Sequence, residues 1–164
     1  MSTPSRDAAF ADFVSARQTH LRRVAYALTG DWHRAEDLLQ TAFVKLYLAW
    51  PRLREPNAAE AYARRILVRT NIDESRRPWR RERTSLDGHD EAAPTGPSYE
   101  ERSALVDALQ QLPPMQRRVL VLRHMLDLSV SETASELGIS EGTVKSHTSR
   151  GLTALEKALL AAGQ

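Results

Sequence analysis

The chain has 164 residues, of which 41% are hydrophobic, so it can form one domain or two small ones with packed cores. It contains no cysteine, which excludes disulfide bonds, thiolate metal sites and thiol nucleophiles. No apolar run approaches the roughly 18 residues that a membrane span needs, and the first residues lack a signal-peptide pattern. We therefore expect a cytoplasmic protein. Because aromatic residues are few and alternating β-branched runs are scarce, we also expect an all-α fold.

The net charge is only +2, but it is unevenly distributed along the chain. Residues 52–83 contain ten arginines, no lysine and five carboxylates, whereas residues 84–111 contain one arginine and six carboxylates. This asymmetry indicates an interaction with a charged partner. Arginine is the better cation for bidentate contacts to phosphate, so the basic block is a candidate nucleic-acid surface.

Two amphipathic helices are predicted in the first third of the chain. Residues 7–29 have apolar side chains at helical spacing, and Gly30 ends this helix. The second helix, residues 32–50, has a wide apolar face. Its Glu36 and Asp37 are adjacent in sequence, so they point about 100° apart, and no histidine follows at metal-ligand spacing. We interpret the polar side of this helix as a solvated or protein-binding face, not as a catalytic or metal site.

The basic block is predicted to form a loop, residues 51–59, and a third helix, residues 59–77. The arginines of this helix are Arg64, Arg65, Arg69, Arg76 and Arg77. They form either a solubilising face or a nucleic-acid track, and we favour the track because few carboxylates offset them. Residues 79–98 are rich in Pro, Gly, Ser and charge, which predicts a linker.

Helical patterning resumes at Tyr99. Pro113 and Pro114 separate this helix from the next one, which leads into residues 128–155. The last residues, 157–164, are predicted to fray. The buried face of the helix after Tyr99 is predicted to consist of Leu105, Val106, Leu109 and Leu112.

Residues 128–155 have the pattern of a helix-turn-helix. Ser129 and Glu132 are spaced as a capping box that starts one helix. Gly138 supplies the left-handed residue that ends it, and Ser140 is a good N-cap for the second helix. The inner face is predicted to contain Ala134, Leu137, Ile139, Val144, Gly151, Leu152 and Leu155. The outer face of the second helix carries donors and cations suited to a DNA major groove, and a helical hairpin with a solvated polar face is the alternative.

Two all-α modules, a basic third helix, a tether and a terminal helix-turn-helix together resemble the bacterial RNA polymerase sigma factors. The resemblance is to the small extracytoplasmic-function group, group IV, of the sigma-E-like actinobacterial type. It is carried by AEDLLQTAFVKLYLAW at 35–50, RRILVRTNIDESRR at 64–77, and residues 112–155. The resemblance covers most of the chain, about residues 7–78 and 99–160.

The resemblance implies two helical domains, 7–78 as sigma region 2 and 99–160 as sigma region 4, joined by the linker at 79–98. It implies that the protein binds core RNA polymerase and directs promoter-specific initiation. The first domain would open and read the −10 element, with bases captured by the loop at 52–60. The second would read the −35 element in duplex form. An anti-sigma factor often sequesters members of this group, and the sequence identifies none.

The resemblance also implies roles for individual residues. Those implied to bind polymerase are Asp37, Leu38, Leu39 and Gln40. Those implied to bind the −10 element are Arg64, Arg65, Arg69, Asn71, Arg76 and Arg77. Those implied to bind the −35 element are Ser140, Thr143, Lys145, Ser146, Ser149 and Arg150.

Two other classes of function compete with this interpretation. The run from Thr143 to His147 is similar to the DNA-binding domain of free-standing LuxR-like regulators, which would bind DNA as dimers. An enzyme acting on nucleic acid is disfavoured, because the chain has no HExxH motif, no glycine-rich phosphate loop and no His–carboxylate cluster. We therefore expect no enzymatic activity, no metal and no cofactor.

Overall fold

The structure is a computed structural model, and it describes residues 5–53, 55–76 and 99–163. All regular secondary structure in this part of the chain is helical, which confirms the all-α prediction. The helices are α1 (Arg6–Thr29), α2 (Trp32–Ala49), α3 (Pro56–Ser75), α4 (Tyr99–Gln110), α5 (Pro114–Leu120), α6 (Val130–Leu137) and α7 (Glu141–Ala162). The predicted linker, residues 79–98, lies outside the described residues.

The described residues form two compact units. The first contains residues 5–25, 33–53 and 55–76, and the second contains residues 26–32 and 99–163. Within the short segment of the second unit, Gly30 has a φ of +74° and its N–H donates to the Tyr26 carbonyl at 2.7 Å. Gly30 therefore ends α1 as predicted, because a left-handed residue there turns the chain away from the helix. The boundaries 7–78 and 99–160 remain predictions.

The core of the first unit comes from one apolar stripe on each of its three helices. Its fully buried aliphatic side chains are Leu21, Val24, Leu38, Leu39, Leu46, Leu67 and Val68. Two ion pairs tie α1 to its neighbours, Arg17 with Glu60 on α3 and Arg22 with Glu36 on α2. At the other end of α1, the rings of Phe10 and Phe13 pack against the aromatic side chains at the end of α2. These ion pairs and ring contacts therefore hold α1 against both α2 and α3.

The predicted loop at 51–59 is wrong in its second half, because α3 already begins at Pro56. A single 3-10 turn, Trp50–Arg52, follows α2, and Glu55 is the N-cap of α3 with extended backbone angles. Proline suits the first helical position, since its fixed φ matches the helix and its missing N–H would have no helical partner there. The loop assigned to base capture, 52–60, is therefore shorter than predicted and partly helical.

In the second unit, the junction between α4 and α5 is held by the Arg117 guanidinium. It donates to the carbonyls of Leu109, Gln110 and Leu112 at 3.0 to 3.1 Å. Pro113 and Pro114 then start α5 as predicted, with Pro113 as N-cap. The prediction for the buried face of α4 is wrong at Leu105, which is exposed. Leu105 lies one turn before the buried Leu109 on the same face of α4, so helical spacing predicts its burial. Its exposure shows that this face of α4 is not covered at that turn.

The helix-turn-helix is confirmed down to its capping contacts. The Ser129 Oγ accepts from the Glu132 N–H at 3.0 Å, and the Glu132 carboxylate accepts from the Ser129 N–H at 3.1 Å. Gly138 has a φ of 67° and ends α6, and the Ser140 Oγ accepts from the Thr143 N–H at 3.1 Å to start α7. Its core consists of Val119, Ala134 and Val144, with Val130, Leu137 and Ile139 packed against them.

Helix α7 departs from the prediction in two places. Leu152 was expected on the inner face, but its side chain is exposed. The end of the chain was expected to fray from residue 157, but α7 continues to Ala162. Leu152 lies about 100° around α7 from Gly151, which packs on Leu120 of α5, so its side chain points to the side of the packed face.

Candidate functional site

Two of the four side chains that the resemblance assigned to polymerase binding lie on the polar face of α2. Asp37 and Gln40 are exposed, whereas Leu38 and Leu39 are fully buried. The two leucines therefore cannot contact a partner directly. They anchor α2 in the core of its unit and so fix the positions of Asp37 and Gln40.

A shallow groove of about 440 Å³ runs along this face of α2. It is lined by Asp37, Gln40, Thr41, Val44 and Lys45. Lys45 also reaches α3, where its Nζ lies 3.5 Å from the Thr70 Oγ1. Val44 is 61% exposed. The sequence pattern did not single out Val44, although it lies seven residues after Asp37 and hence on the same helical face.

Three of the predicted −10 residues form a single exposed face on α3. Arg65 and Arg69 lie on α3 and Arg76 is its C-cap residue; all three are exposed, and their helical positions lie within an arc of about 40°. Arg64 lies about 100° away from this face and is half-buried, with an Nε that has no hydrogen-bond partner. Arg77 lies outside the described residues.

Asn71 differs from the arginines. Its side chain is only 5% exposed, so it does not lie on the exposed cationic face of α3. The ring of Trp50 is packed against those of Phe10 and Phe13. The candidate −10 side chains exposed on this unit are therefore Arg65, Arg69 and Arg76.

The outer face of α7 exposes Lys145, Ser149 and Arg150, with Ser146 half-exposed beside them. Ser140 and Thr143 have a different position, because their hydroxyl groups lie 2.8 Å apart within the N-cap of the helix. The face therefore combines two cations and two short hydroxyl side chains along two turns. His147 is half-buried on the inner side, as expected for a packed side chain.

Neither unit contains a cluster suited to metal chemistry. Across residues 5–53, 55–76 and 99–163, no group of three or more His, Asp or Glu side chains could hold a metal ion. No helix in the described part of the chain is long and apolar enough to cross a membrane.

Each of the two units matches a known protein family. The family models Sigma-70 region 2 and Sigma-70, region 4 match residues 13–81 and 102–155. The RNA polymerase sigma-E factor of Streptomyces coelicolor is 39% identical over 158 residues, which cover 93% of this chain and 86% of that protein. The chain belongs to the sigma-70 family of RNA polymerase sigma factors. The interpretation drawn from its three sequence motifs is confirmed.

This sigma factor belongs to the extracytoplasmic-function group. The ECF RNA polymerase sigma factor SigE of Mycolicibacterium smegmatis is 30% identical to it over 148 residues, which cover 85% of this chain and 57% of that protein. The sigma factor RpoE of Bartonella quintana, solved in complex with the anti-sigma factor NepR, shares the fold with a TM-score of 0.70. That match covers 90% of this chain and 96% of that one at 24% identity. The LuxR-like alternative is not favoured by these similarities.

Proposed function

We propose that this sigma factor uses its two units as separate promoter readers held on core RNA polymerase. Residues 7–78 would dock on the polymerase and read the −10 element, residues 99–160 would read the −35 element, and residues 79–98 would connect them. The supporting observation is the placement of exposed cations. They form one face on α3 and one on α7, in different units, whereas the exposed face of α2 presents Asp37 and Gln40.

At the −10 element, the arginine face of α3 would bind the phosphates of the separated strand. Arg65, Arg69 and Arg76 are spaced over about three turns along α3 and its C-cap, which suits a nucleic-acid backbone that runs along the helix. Unpairing bases costs a few kcal/mol per flipped base, and these contacts would offset that cost. Arg64 and Asn71 would act from beside and beneath this face, and Arg77 is a further proposed phosphate contact.

At the −35 element, α7 would enter the major groove of duplex DNA. Arg150 and Lys145 have the donors that guanine edges and phosphates accept, and Ser146 and Ser149 are short enough to let the helix approach. Ser140 and Thr143 would contribute at the start of the helix, where N–H groups and the helix dipole favour a phosphate. Such a helix reads bases with its first turns.

The low net charge of the protein supports dependence on polymerase. A chain with a net charge of +2 has little long-range attraction for free DNA. Two weak readers held on one scaffold gain from effective concentration, because binding at one element brings the other within reach. The protein would thus supply specificity without chemistry of its own, as a cytoplasmic initiation factor and not an enzyme. An anti-sigma factor, as in the Bartonella quintana complex, is a further proposed partner.

In vitro run-off transcription tests this function directly. Purified core polymerase and a library of genomic promoters would be assayed with the protein, without it, and with the Asp37→Arg variant. New start sites that share two spaced motifs are expected only with the unmodified protein. Asp37→Arg changes an exposed side chain, so it should leave the helical content intact while abolishing holoenzyme formation. A shift of duplex DNA by the protein alone, without new start sites, would contradict the proposal.

A further inference from the structure

Two large aliphatic side chains on α2 face solvent. Val44 is 61% exposed and Leu48 is 69% exposed, whereas Leu38, Leu39 and Leu46 on the same helix are fully buried. Single exposed hydrophobic residues are common on protein surfaces and need no explanation by themselves. The position of this pair relative to the polar residues of α2 is what distinguishes it.

Asp37, Thr41, Val44 and Leu48 follow one another at spacings of four, three and four residues. On an α-helix this spacing places them in one stripe, about 16 Å long, on a single face. The groove on α2 already contains the first three of them. The stripe is therefore polar and acidic at one end and apolar at the other, and it forms a continuous surface with Gln40 and Lys45 at its margins.

We infer that Val44 and Leu48 form the apolar half of the surface through which α2 binds core RNA polymerase. The polymerase surface that covers it would place a cation opposite Asp37 and apolar side chains opposite Val44 and Leu48. This inference rests on the proposed docking role of α2. Asp37 would contribute orientation and Val44 and Leu48 affinity, because protein interfaces combine an apolar centre with a polar rim.

Continuity and size both favour polymerase over a second copy of this chain. The apolar pair continues the groove that contains Asp37 and Gln40 without a gap along the helix. A homodimer built on this stripe would meet through one helix face with two aliphatic side chains, far less than the roughly 800 Å² per partner of a stable interface. If the stripe is one part of a larger contact with polymerase, it does not have to bury that area by itself.

The test is the affinity of the purified full-length protein for core polymerase. We expect Val44→Ser and Leu48→Ser each to weaken binding by about tenfold, as loss of one buried aliphatic contact would. Leu160→Ser is the matched control, since Leu160 is 65% exposed on α7 and lies outside the stripe. Because both stripe residues face solvent, the variants should keep the helical content and thermal stability of the parent protein.

The Asp37→Arg variant separates failure of this inference from failure of the docking role. If Asp37→Arg abolishes binding while both serine variants bind normally, the docking role holds and the inference is wrong. If none of the three variants changes binding, the docking face itself is wrong. Salt provides a second criterion, because the Asp37 contribution should weaken as salt screens it and the Leu48 contribution should not. Loss of a homodimer in Leu48→Ser, with unchanged polymerase binding, would assign the pair to a second copy instead.

Discussion

Arg17 on α1 and Glu60 on α3 are joined by two parallel hydrogen bonds. The Arg17 Nε donates to Oε2 at 2.7 Å and Nη2 donates to Oε1 at 2.5 Å. This two-pronged geometry is the stronger form of an arginine–carboxylate pair. Both side chains remain about a third exposed, so solvent screens the interaction and a coupling energy of about 1 kcal/mol is expected.

Double-mutant cycles with alanine at both positions would measure this coupling through the free energy of unfolding in urea. The pair of Arg22 and Glu36 is the matched comparison, since its second hydrogen bond is stretched to 3.4 Å. We expect the Arg17–Glu60 coupling to exceed that of Arg22–Glu36. A larger coupling energy for Arg22–Glu36 than for Arg17–Glu60 would show that two-pronged geometry does not strengthen the contact between α1 and α3.

The reading face of α7 is tested at Arg150. Arg150→Ala should weaken −35-dependent promoters by roughly 1–3 kcal/mol if the guanidinium makes a bidentate contact to a base. Arg150→Lys retains the charge but loses the planar fork. It should therefore behave like alanine for a base contact and like arginine for a phosphate contact. Holoenzyme-dependent transcription from promoters with altered −35 sequences is the measurement, and unchanged promoter preference would remove Arg150 from the reading face.

Close packing between α7 and α5 depends on Gly151. A Cβ at this position would lie 3.1 Å from the Leu120 Cδ1, which is tighter than ordinary contact. Gly151→Val should therefore lower the free energy of unfolding by about 1–3 kcal/mol through overpacking. Gly142→Val is the control on the same helix, where the nearest atom is the Ser140 Oγ at 3.9 Å. Equal effects on urea unfolding would argue against close packing at Gly151.

The helix-turn-helix was predictable from sequence because its determinants are local. Ser129, Glu132, Gly138 and Ser140 act on backbone groups within four residues of themselves, so their spacing alone specifies where α6 and α7 start and stop. The burial of Val144 followed from the same register. Such features need no knowledge of what packs from elsewhere in the chain.

Other parts of the fold and site depend on which neighbours cover a helix. Leu152 matched the apolar spacing of α7 but is exposed, and Asn71 matched a motif but is buried. The apolar pattern of α2 does not include Leu48, which is exposed one turn after Val44. The start of α3 at Pro56 differs from the prediction, because two prolines in nine residues suggest a loop and one of them is instead the first residue of a helix.

Backbone strain precedes α6 at Asp127. This residue has a φ of 53°, the left-handed region that favours glycine. A residue with a Cβ there costs roughly 1–2 kcal/mol, while glycine loses roughly 0.5–1 kcal/mol more backbone entropy on folding. Asp127→Gly should therefore raise the free energy of unfolding by up to about 1 kcal/mol. Asp107→Gly, inside α4, should instead lower it by roughly a few tenths of a kcal/mol. Destabilisation by both variants would contradict strain at Asp127.

The Tyr47 phenol is expected to titrate late. Its hydroxyl donates to the Asp7 carboxylate at 2.8 Å, and this hydrogen bond, with the charge of Asp7, raises the pKa of Tyr47 above 10.0. The bond exists only while the phenol is protonated. Because the pKa is higher in the folded protein, the stabilisation is complete below about pH 10 and is lost as the pH rises through the raised pKa.

Ultraviolet absorbance of the phenolate, taken as the difference between the parent protein and Tyr47→Phe, isolates this titration from those of the other tyrosines. We expect the midpoint to lie above 10.0 in the parent protein and to fall towards it in Asp7→Asn, which removes the charge but keeps the shape of the side chain. The stability difference between the parent and Tyr47→Phe should stay constant from about pH 7 to pH 9 and narrow at higher pH. A midpoint that is the same with Asp7 and with asparagine would show that Asp7 does not control Tyr47.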